Sequence, residues 1–267
     1  MFKQAFSKQN RALLAELVRT DFKLRYQGSV LGYAWSLLKP LMMFAILYMV
    51  FTQFLKFGAS VPHFPVYLLL GIIMWNFFAE TTGQSLVSVV SRGDLIRKIR
   101  IPRWIIVFSA SISALINLGL NLIIVAIFLV INKVDIGWSI LLLPFSLAQI
   151  YILALGLGFY LSAAYVKYRD IVNIWEVIIQ AGFYLTPIIY SLSQIPDPLF
   201  QKLLLLNPMA QAIQDGRYNV VTDQTVTTWG LINNPWIAVI PLVLVVIIAV
   251  AGMLYFKKES KHFAENL

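Results

Sequence analysis

Few residues in the long apolar runs of this chain can do chemistry. Glu80 and Glu176 are the carboxylates that fall well inside such runs. A proton relay through hydrocarbon would pair them with a histidine or a basic side chain. The two histidines, His63 and His262, instead fall near opposite ends of the runs, so proton coupling is not expected. The chain has no cysteine, which excludes disulfides, thiolate metal ligands and a cysteine nucleophile. No H-E-x-x-H, G-x-S-x-G or G-x-x-x-x-G-K-[ST] pattern occurs, so no metal, catalytic residue or nucleotide-binding loop is nominated. Asp197, Asp215 and Asp223 lie in one more polar stretch without motif spacing and read as solvated carboxylates. What remains is non-covalent chemistry: hydrogen bonding, stacking and the placement of cations.

Polar residues recur at helical spacing. Asn76, Glu80, Gln84 and Ser88 repeat every four residues, as do Ser109, Ser113, Asn117 and Asn121. Such stripes either join helix pairs, at roughly 0.6 to 2 kcal/mol per contact, or line a hydrophilic conduit. Aromatics form a second pattern. Tyr33, Phe44, Tyr48 and Phe51, at separations of 11, 4 and 3, share one helical face. Tyr67, Trp75 and Phe78 form another set, and Phe183, Tyr184 and Tyr190 a third. Aromatic faces suit the C–H surfaces of sugars sliding past. The same residues also suit lipid contact and interfacial belts.

These residues need membrane-spanning helices to position them. The chain is 60% hydrophobic and 12% charged over 267 residues, with mean hydropathy +0.78. A soluble chain carries about a quarter charged residues, and the apolar runs here reach the roughly 20 residues that cross a bilayer. Six spans are expected at about 36–56, 64–88, 104–131, 138–165, 171–192 and 235–256. Residues 1–39, 91–103, 166–170 and the tail from Lys257 hold 7, 5, 2 and 3 of the 21 Lys and Arg. The positive-inside rule then places both termini in the cytoplasm, in agreement with an even number of spans. The net charge of +9 is thereby topogenic, and nucleic-acid binding is not expected.

The N-terminal stretch lacks the apolar core and cleavage site of a signal peptide, so the first span is expected to act as the targeting signal. Within residues 1–35, Phe2, Phe6, Leu13, Leu17 and Leu24, with Leu14, Val18 and Phe22 alongside, oppose Arg11, Glu16, Arg19 and Lys23, which predicts an amphipathic helix in the membrane interface on the cytoplasmic side. Gly28 and Gly32 allow the chain to bend between that helix and the first span. The outside loop, 193–234, carries Pro196, Pro198, an apolar run and the turn-like Asn207-Pro208. It predicts short helices dipping back into the bilayer, which survive there only when buried in protein or facing water. The fold class expected is an all-α polytopic membrane protein: six transmembrane helices, an N-terminal amphipathic interface helix, cytoplasmic termini and re-entrant external gate helices between spans five and six.

The run LVRTDFKLRYQGSVLGYAWSLLKPL resembles the leading segment of the membrane subunits of ABC exporters for lipid-linked polysaccharides, the O-antigen, capsule and teichoic-acid family. The resemblance continues in order through YLLLGIIMWNFF, GDLIRKIRIPR, VKYRDI, TPIIYS and LLLLNPMAQAIQDGRY, nearly the whole chain. It implies a single permease domain over 1–267 in the bacterial inner or plasma membrane. It also implies a homodimer of this subunit with two copies of a cytoplasmic ABC ATPase. ATP and Mg would sit on that ATPase, and no cofactor on this chain.

The loop 91–103 would carry a coupling helix, with Gly93, Asp94, Leu95, Arg97, Lys98 and Arg100 at the ATPase and Tyr168, Arg169 and Asp170 in a second contact. Arg25, Tyr26 and Lys39 would approach the lipid head group. Tyr33, Phe44, Tyr48, Phe51, Trp75, Phe78, Phe183, Tyr184 and Tyr190 would line the channel, and 193–234 would form an external gate. The implied function is ATP-driven outward movement of a lipid-linked polysaccharide; an ABC permease for a small lipid or drug is the alternative. An intramembrane enzyme would need a convergent acid, base or metal constellation, and a scaffold would need no ATPase.

Overall fold

The computed structural model describes residues 8–26, 29, 31–32, 34–54, 61–98 and 101–263, and the regular structure among them is helical throughout. Phe2, Phe6, Gly28, Tyr33 and Arg100 lie outside the described residues, as do the side chains of Phe22, Leu24, Arg25 and Tyr26.

Helix α1, Lys8–Tyr26, is amphipathic as its sequence predicts. Leu13, Leu14, Leu17 and Val18 are half-buried, whereas Arg11, Glu16, Arg19 and Lys23 are exposed. The turn that follows uses Gly32 at a left-handed φ of 49°, with its N–H donated to Ser29 Oγ at 3.2 Å. A residue with a Cβ would be strained there.

Helix α2, Ala34–Met49, runs on through a π-helical turn, Val50–Phe54. Pro40 lies inside α2 and has no N–H to give to the carbonyl of Ser36. Asn121 Nδ2, from a neighbouring helix, donates to that carbonyl at 3.4 Å. A freed backbone acceptor is thus satisfied from outside, as hydrocarbon requires.

Helix α3, Phe64–Ser91, has 28 residues and is the axis of the bundle. Its length of about 42 Å exceeds a bilayer core of about 30 Å. Leu68, Leu69, Leu70 and Ile72 are fully buried, because α3 is wrapped by other helices on most sides. A six-residue helix α4, Gly93–Lys98, leads to α5, Trp104–Ile131. A 3-10 turn over Trp138–Leu142 then enters α6, Leu143–Lys167.

Helix α7, Ile171–Leu185, has 15 residues, about 22 Å. The span expected over 171–192 stops early because Thr186 precedes Pro187 and takes the extended conformation, φ −83° and ψ 137°. A residue before proline is pushed out of the helical region. Five stretches among the described residues are therefore long and apolar enough to cross a membrane: Ala34–Phe54, Phe64–Ser91, Trp104–Ile131, Trp138–Lys167 and Pro235–His262.

The stretch between α7 and the last span is built of α8 (Pro198–Leu205), α9 (Pro208–Val220) and α10 (Thr228–Leu231). It leads to α11 (Pro235–Ala238) and α12 (Ile240–Glu259). Three of these helices start the same way. Asp197, Asn207 and Asn234 each accept the N–H two residues on, at 2.8, 2.9 and 3.0 Å, and each precedes a proline. An Asx cap followed by proline in the first turn satisfies one orphan N–H and removes another.

Helices α6 and α12 approach backbone to backbone. A Cβ added to Gly252 would strike the carbonyl of Gly156, and one added to Gly156 would strike Ala249. Without a hydrophobic drive between helices in lipid, such small-residue contacts gain packing that larger side chains would prevent. Beside them Phe159 meets Phe256 edge to face at 5.0 Å, and Phe256 meets the buried Phe263 at 5.4 Å.

Candidate functional site

The end of the bundle where α3, α6 and α12 finish carries the basic residues. Arg92, between α3 and α4, forms an ion pair with Asp21 of α1 and donates to Ser109 Oγ at 2.8 Å. Arg103, at the start of α5, donates to the carbonyl of Ser260 and stands 6.0 Å from the ring centre of Phe263. The elbow between α3 and α5 is thus fastened at one side to α1 and at the other to the C-terminal turn.

Between these anchors α4 leaves Asp94, Arg97 and Lys98 exposed, with Gly93, Leu95 and Ile96 half-buried. Asp94 in its first turn and Arg97 and Lys98 in its last match the helix dipole. Tyr168, Arg169 and Asp170, at the tight turn from α6 to α7, are exposed at the same end. Lys167 Nζ lies 5.2 Å from the Tyr168 ring, and the Arg169 guanidinium 5.3 Å from the Tyr165 ring. Neither anchoring arginine is among the coupling residues that the resemblance implies, although both belong to the basic loop 91–103. Each sits just outside α4, where its charge reads as part of the basic loop.

The two polar stripes meet at one point. Glu80 accepts from Gln84 Nε2 at 2.7 Å on its own helix and from Asn117 Nδ2 across to α5. Asn121 Nδ2 returns to Asn117 O at 2.8 Å, while Ser88, Ser109 and Ser113 donate to carbonyls of their own helices. Spacing alone therefore overstated the cross-helix bonding, because a hydroxyl in a helix reaches its own preceding turn.

The nominated aromatics fall into two groups. Phe44 stacks on Tyr48 at 5.6 Å and meets Phe128 edge-on at 5.3 Å, and Tyr48 lies 6.4 Å from Phe64. Trp75 meets Phe78 at 5.6 Å and Phe183 at 6.3 Å, and Phe78 meets Trp175 at 6.3 Å. Within the single chain Phe44, Phe51, Trp75, Phe78 and Phe183 are buried, and Tyr48 and Tyr184 reach the surface. Tyr190 donates its hydroxyl to Leu185 O at 3.2 Å and so folds back on the end of α7. Trp175, which also donates to Thr82 Oγ1 at 3.1 Å, was missed, although it stands two helical turns before Phe183.

By its sequence Arg217 is one of the four Lys and Arg that fall outside the basic segments. It is the largest fully buried side chain among the described residues, at 0% exposure. Its Nε donates to Tyr67 O at 2.9 Å, and Nη1 to Pro187 O at 2.6 Å and Gln214 Oε1 at 3.1 Å. Nη2 donates to Ile188 O, and the guanidinium lies 3.7 Å from the centre of the Tyr67 ring. Burial lowers its pKa from the ordinary arginine range, and Tyr67 opposes that shift. One side chain thereby joins α9, α3 and the turn that ends α7. Gly71 makes room for it, since a Cβ there would stand 2.9 Å from Cζ.

Residues 12–221 match the family described as ABC-2 type transporter. The O-antigen export system permease protein RfbA of Myxococcus xanthus is 30% identical over 202 residues, 75% of this chain and 77% of that protein. A protein of the same name from Klebsiella pneumoniae is 27% identical over 257 residues, 96% of this chain and 95% of its own. The polysialic acid transport protein KpsM of Escherichia coli is 22% identical over 223 residues, 83% and 85% of the two chains. The family match runs from within α1 to the end of α9, so it takes in the elbow, the polar contact at Glu80 and the buried Arg217. This chain is a multi-pass inner-membrane protein that belongs to the ABC-2 type transporter family.

Proposed function

We propose that this chain is the channel-forming permease subunit of an ATP-driven exporter that moves a lipid-linked polysaccharide outward from the cytoplasmic side. The observation that carries the reading is the elbow around α4. A six-residue helix with Asp94, Arg97 and Lys98 exposed is anchored on both sides by Arg92 and Arg103. A charged helix so held can pass a push into α3 and α5, which a loose loop could not. The partner it suits is a separate cytoplasmic ABC ATPase holding ATP and Mg, which meets Gly93–Lys98 together with Arg100 and the turn Tyr168–Asp170. The named relatives, exporters of O-antigen and polysialic acid, support a glycan as cargo.

In this reading two copies of the chain work with two ATPases, both termini are cytoplasmic, and α7 with the turn after Thr186 completes a sixth crossing. Helices α8 and α9 form the external gate. Arg25, Tyr26 and the exposed Lys39 stand where a pyrophosphate-linked lipid would approach, and cations at that face attract anionic head groups. Among the described residues, Tyr48 and Tyr184 are the nominated aromatics that a passing sugar would meet first.

The test is co-purification of the chain with its ATPase, followed by ATP hydrolysis with and without glycolipid. Stimulated hydrolysis is expected, and reversing the charges of Arg97 and Lys98 to Glu should abolish co-purification. Normal surface polymer in cells lacking the chain would refute the reading.

A further inference from the structure

Helix α7 carries a polar pattern that neither its packing nor the elbow uses. Trp175 and Phe183 occupy its side toward α3, and a Cβ on Gly182 would stand 2.8 Å from Trp75. Asn173, Glu176, Gln180 and Tyr184 follow at separations of 3, 4 and 4, which puts them on one stripe. All four are exposed, and Glu176 has no hydrogen-bond or ion-pair partner among the described residues.

The depth of the stripe follows from its neighbours. Trp175 bonds to Thr82, and Gly182 meets Trp75, so the stripe runs beside residues 75–82, the middle of the 28-residue α3. At that depth a carboxylate facing lipid is costly, and polar side chains face protein or water instead. Helix α3 adds the same chemistry: Glu80 is half-buried, and Gly83 beside it has nothing within 4 Å of an added Cβ. No Lys or Arg falls in α3, α5 or α7, and Arg217 is wholly covered. The exposed polar groups of the α7 stripe are therefore two amides, a phenol and one carboxylate, without a cation, and the half-buried Glu80 of α3 adds negative charge beside them.

We propose that the α7 stripe walls the hydrated conduit of the exporter, and that Glu176 selects against polyanions, so that the polymer carried is an uncharged glycan. This rests on the exporter reading above. A fixed negative charge lining a narrow pore repels mobile anions, as carboxylate rings do in cation channels. Hydroxyls of a neutral sugar can instead hydrogen-bond to Asn173, Gln180 and the carboxylate as they pass. A side-chain charge a few ångströms from a partly hydrated polymer is enough for about tenfold discrimination.

The experiment uses cells without a permease of this class, supplied with the chain, its ATPase and one of two polymers on the same lipid carrier. One probe is a neutral mannose polymer and the other a polymer of sialic acid. Surface polymer is measured against total polymer. The mannose polymer should reach the surface and the acidic one should lag by about tenfold, with Glu176→Gln raising the acidic-to-neutral ratio about tenfold. Should Glu176→Gln fail to accumulate in the membrane, Gln180→Glu must lower that ratio. Equal surfacing of both polymers, or a ratio unmoved by either substitution in protein present at normal level, overturns the charge selection and leaves the exporter reading standing. If neither polymer surfaces, both readings fall together.

Discussion

Replacing Arg217 with alanine takes away the one side chain that ties α9, α3 and the end of α7 together. The carbonyls of Tyr67, Pro187 and Ile188 lose their guanidinium donors, in a place no water reaches from the surface. Tyr67 O lies inside α3 and keeps its intrahelical N–H, so two acceptors, Pro187 O and Ile188 O, are orphaned, at about 1–3 kcal/mol each. The vacated space and the lost ring contact with Tyr67 add to that, while relief of the buried charge subtracts. The expected loss is about 4 kcal/mol, centred on the Pro187–Ile188 turn. Because the chain has no cysteine, a single Ile188→Cys substitution supplies the only thiol, and Ile188 is 0% exposed. Maleimide labelling of that thiol in detergent should be slow with Arg217 present and about a thousandfold faster without it, since each 1.4 kcal/mol is tenfold in an opening equilibrium. Arg217→Lys should recover only part of the protection, because an ammonium cannot fan out to the same acceptors. Protection that is unchanged in the alanine variant would refute the latch.

Three further outcomes follow from the same geometry. Burial raises the Asp215 carboxyl from 3.8 to about 6, against the hydrogen bond from Gln211 that lowers it. The native state thus holds an extra proton between about pH 4 and 6, and stability should fall as pH rises through that window, by at most about 3 kcal/mol. Thermal unfolding at pH 5 and 7 checks this, and Asp215→Asn should flatten the slope. The ion pair of Asp21 with Arg92 is half-buried, so a double-mutant cycle should return about 1 kcal/mol of coupling. Trypsin should then cut α1 at Arg19 or Lys23 faster in either single variant. Gly252→Ala drives a methyl into the Gly156 carbonyl and should cost about 1–3 kcal/mol, whereas Gly83→Ala meets open space and should stay within about 0.5 kcal/mol of the parent in thermal unfolding.

The two anchors of the elbow bear on how α4 could act. Arg92 joins it to α1, so a displacement of α4 would carry α1 with it. Arg103 joins it to the carbonyl of Ser260 and the ring of Phe263, which packs on Phe256 of α12. A push at α4 therefore reaches both edges of the bundle through single side chains.

Much of this protein is readable from the order of its residues, because lipid leaves the backbone little choice. Long apolar runs must be helices, so α2, α3, α5, α6 and α12 follow from hydropathy, and the amphipathic face of α1 from its period. The Asp197-Pro198, Asn207-Pro208 and Asn234-Pro235 steps also announce their helix starts, once each is read as a cap rather than as a break. The early end of α7 is equally local, since Thr186-Pro187 forbids another helical turn. What order could not reveal is which side of each helix finds a partner. Trp75 and Tyr184 belong to the same aromatic pattern, yet one is buried and the other 57% exposed. Nothing in the order of residues singles out Arg217, on which three distant carbonyls and a tyrosine ring converge. Periodicity constrains the angle around one helix axis, whereas burial and hydrogen bonding depend on the positions of several axes at once. Only the tertiary structure supplies those.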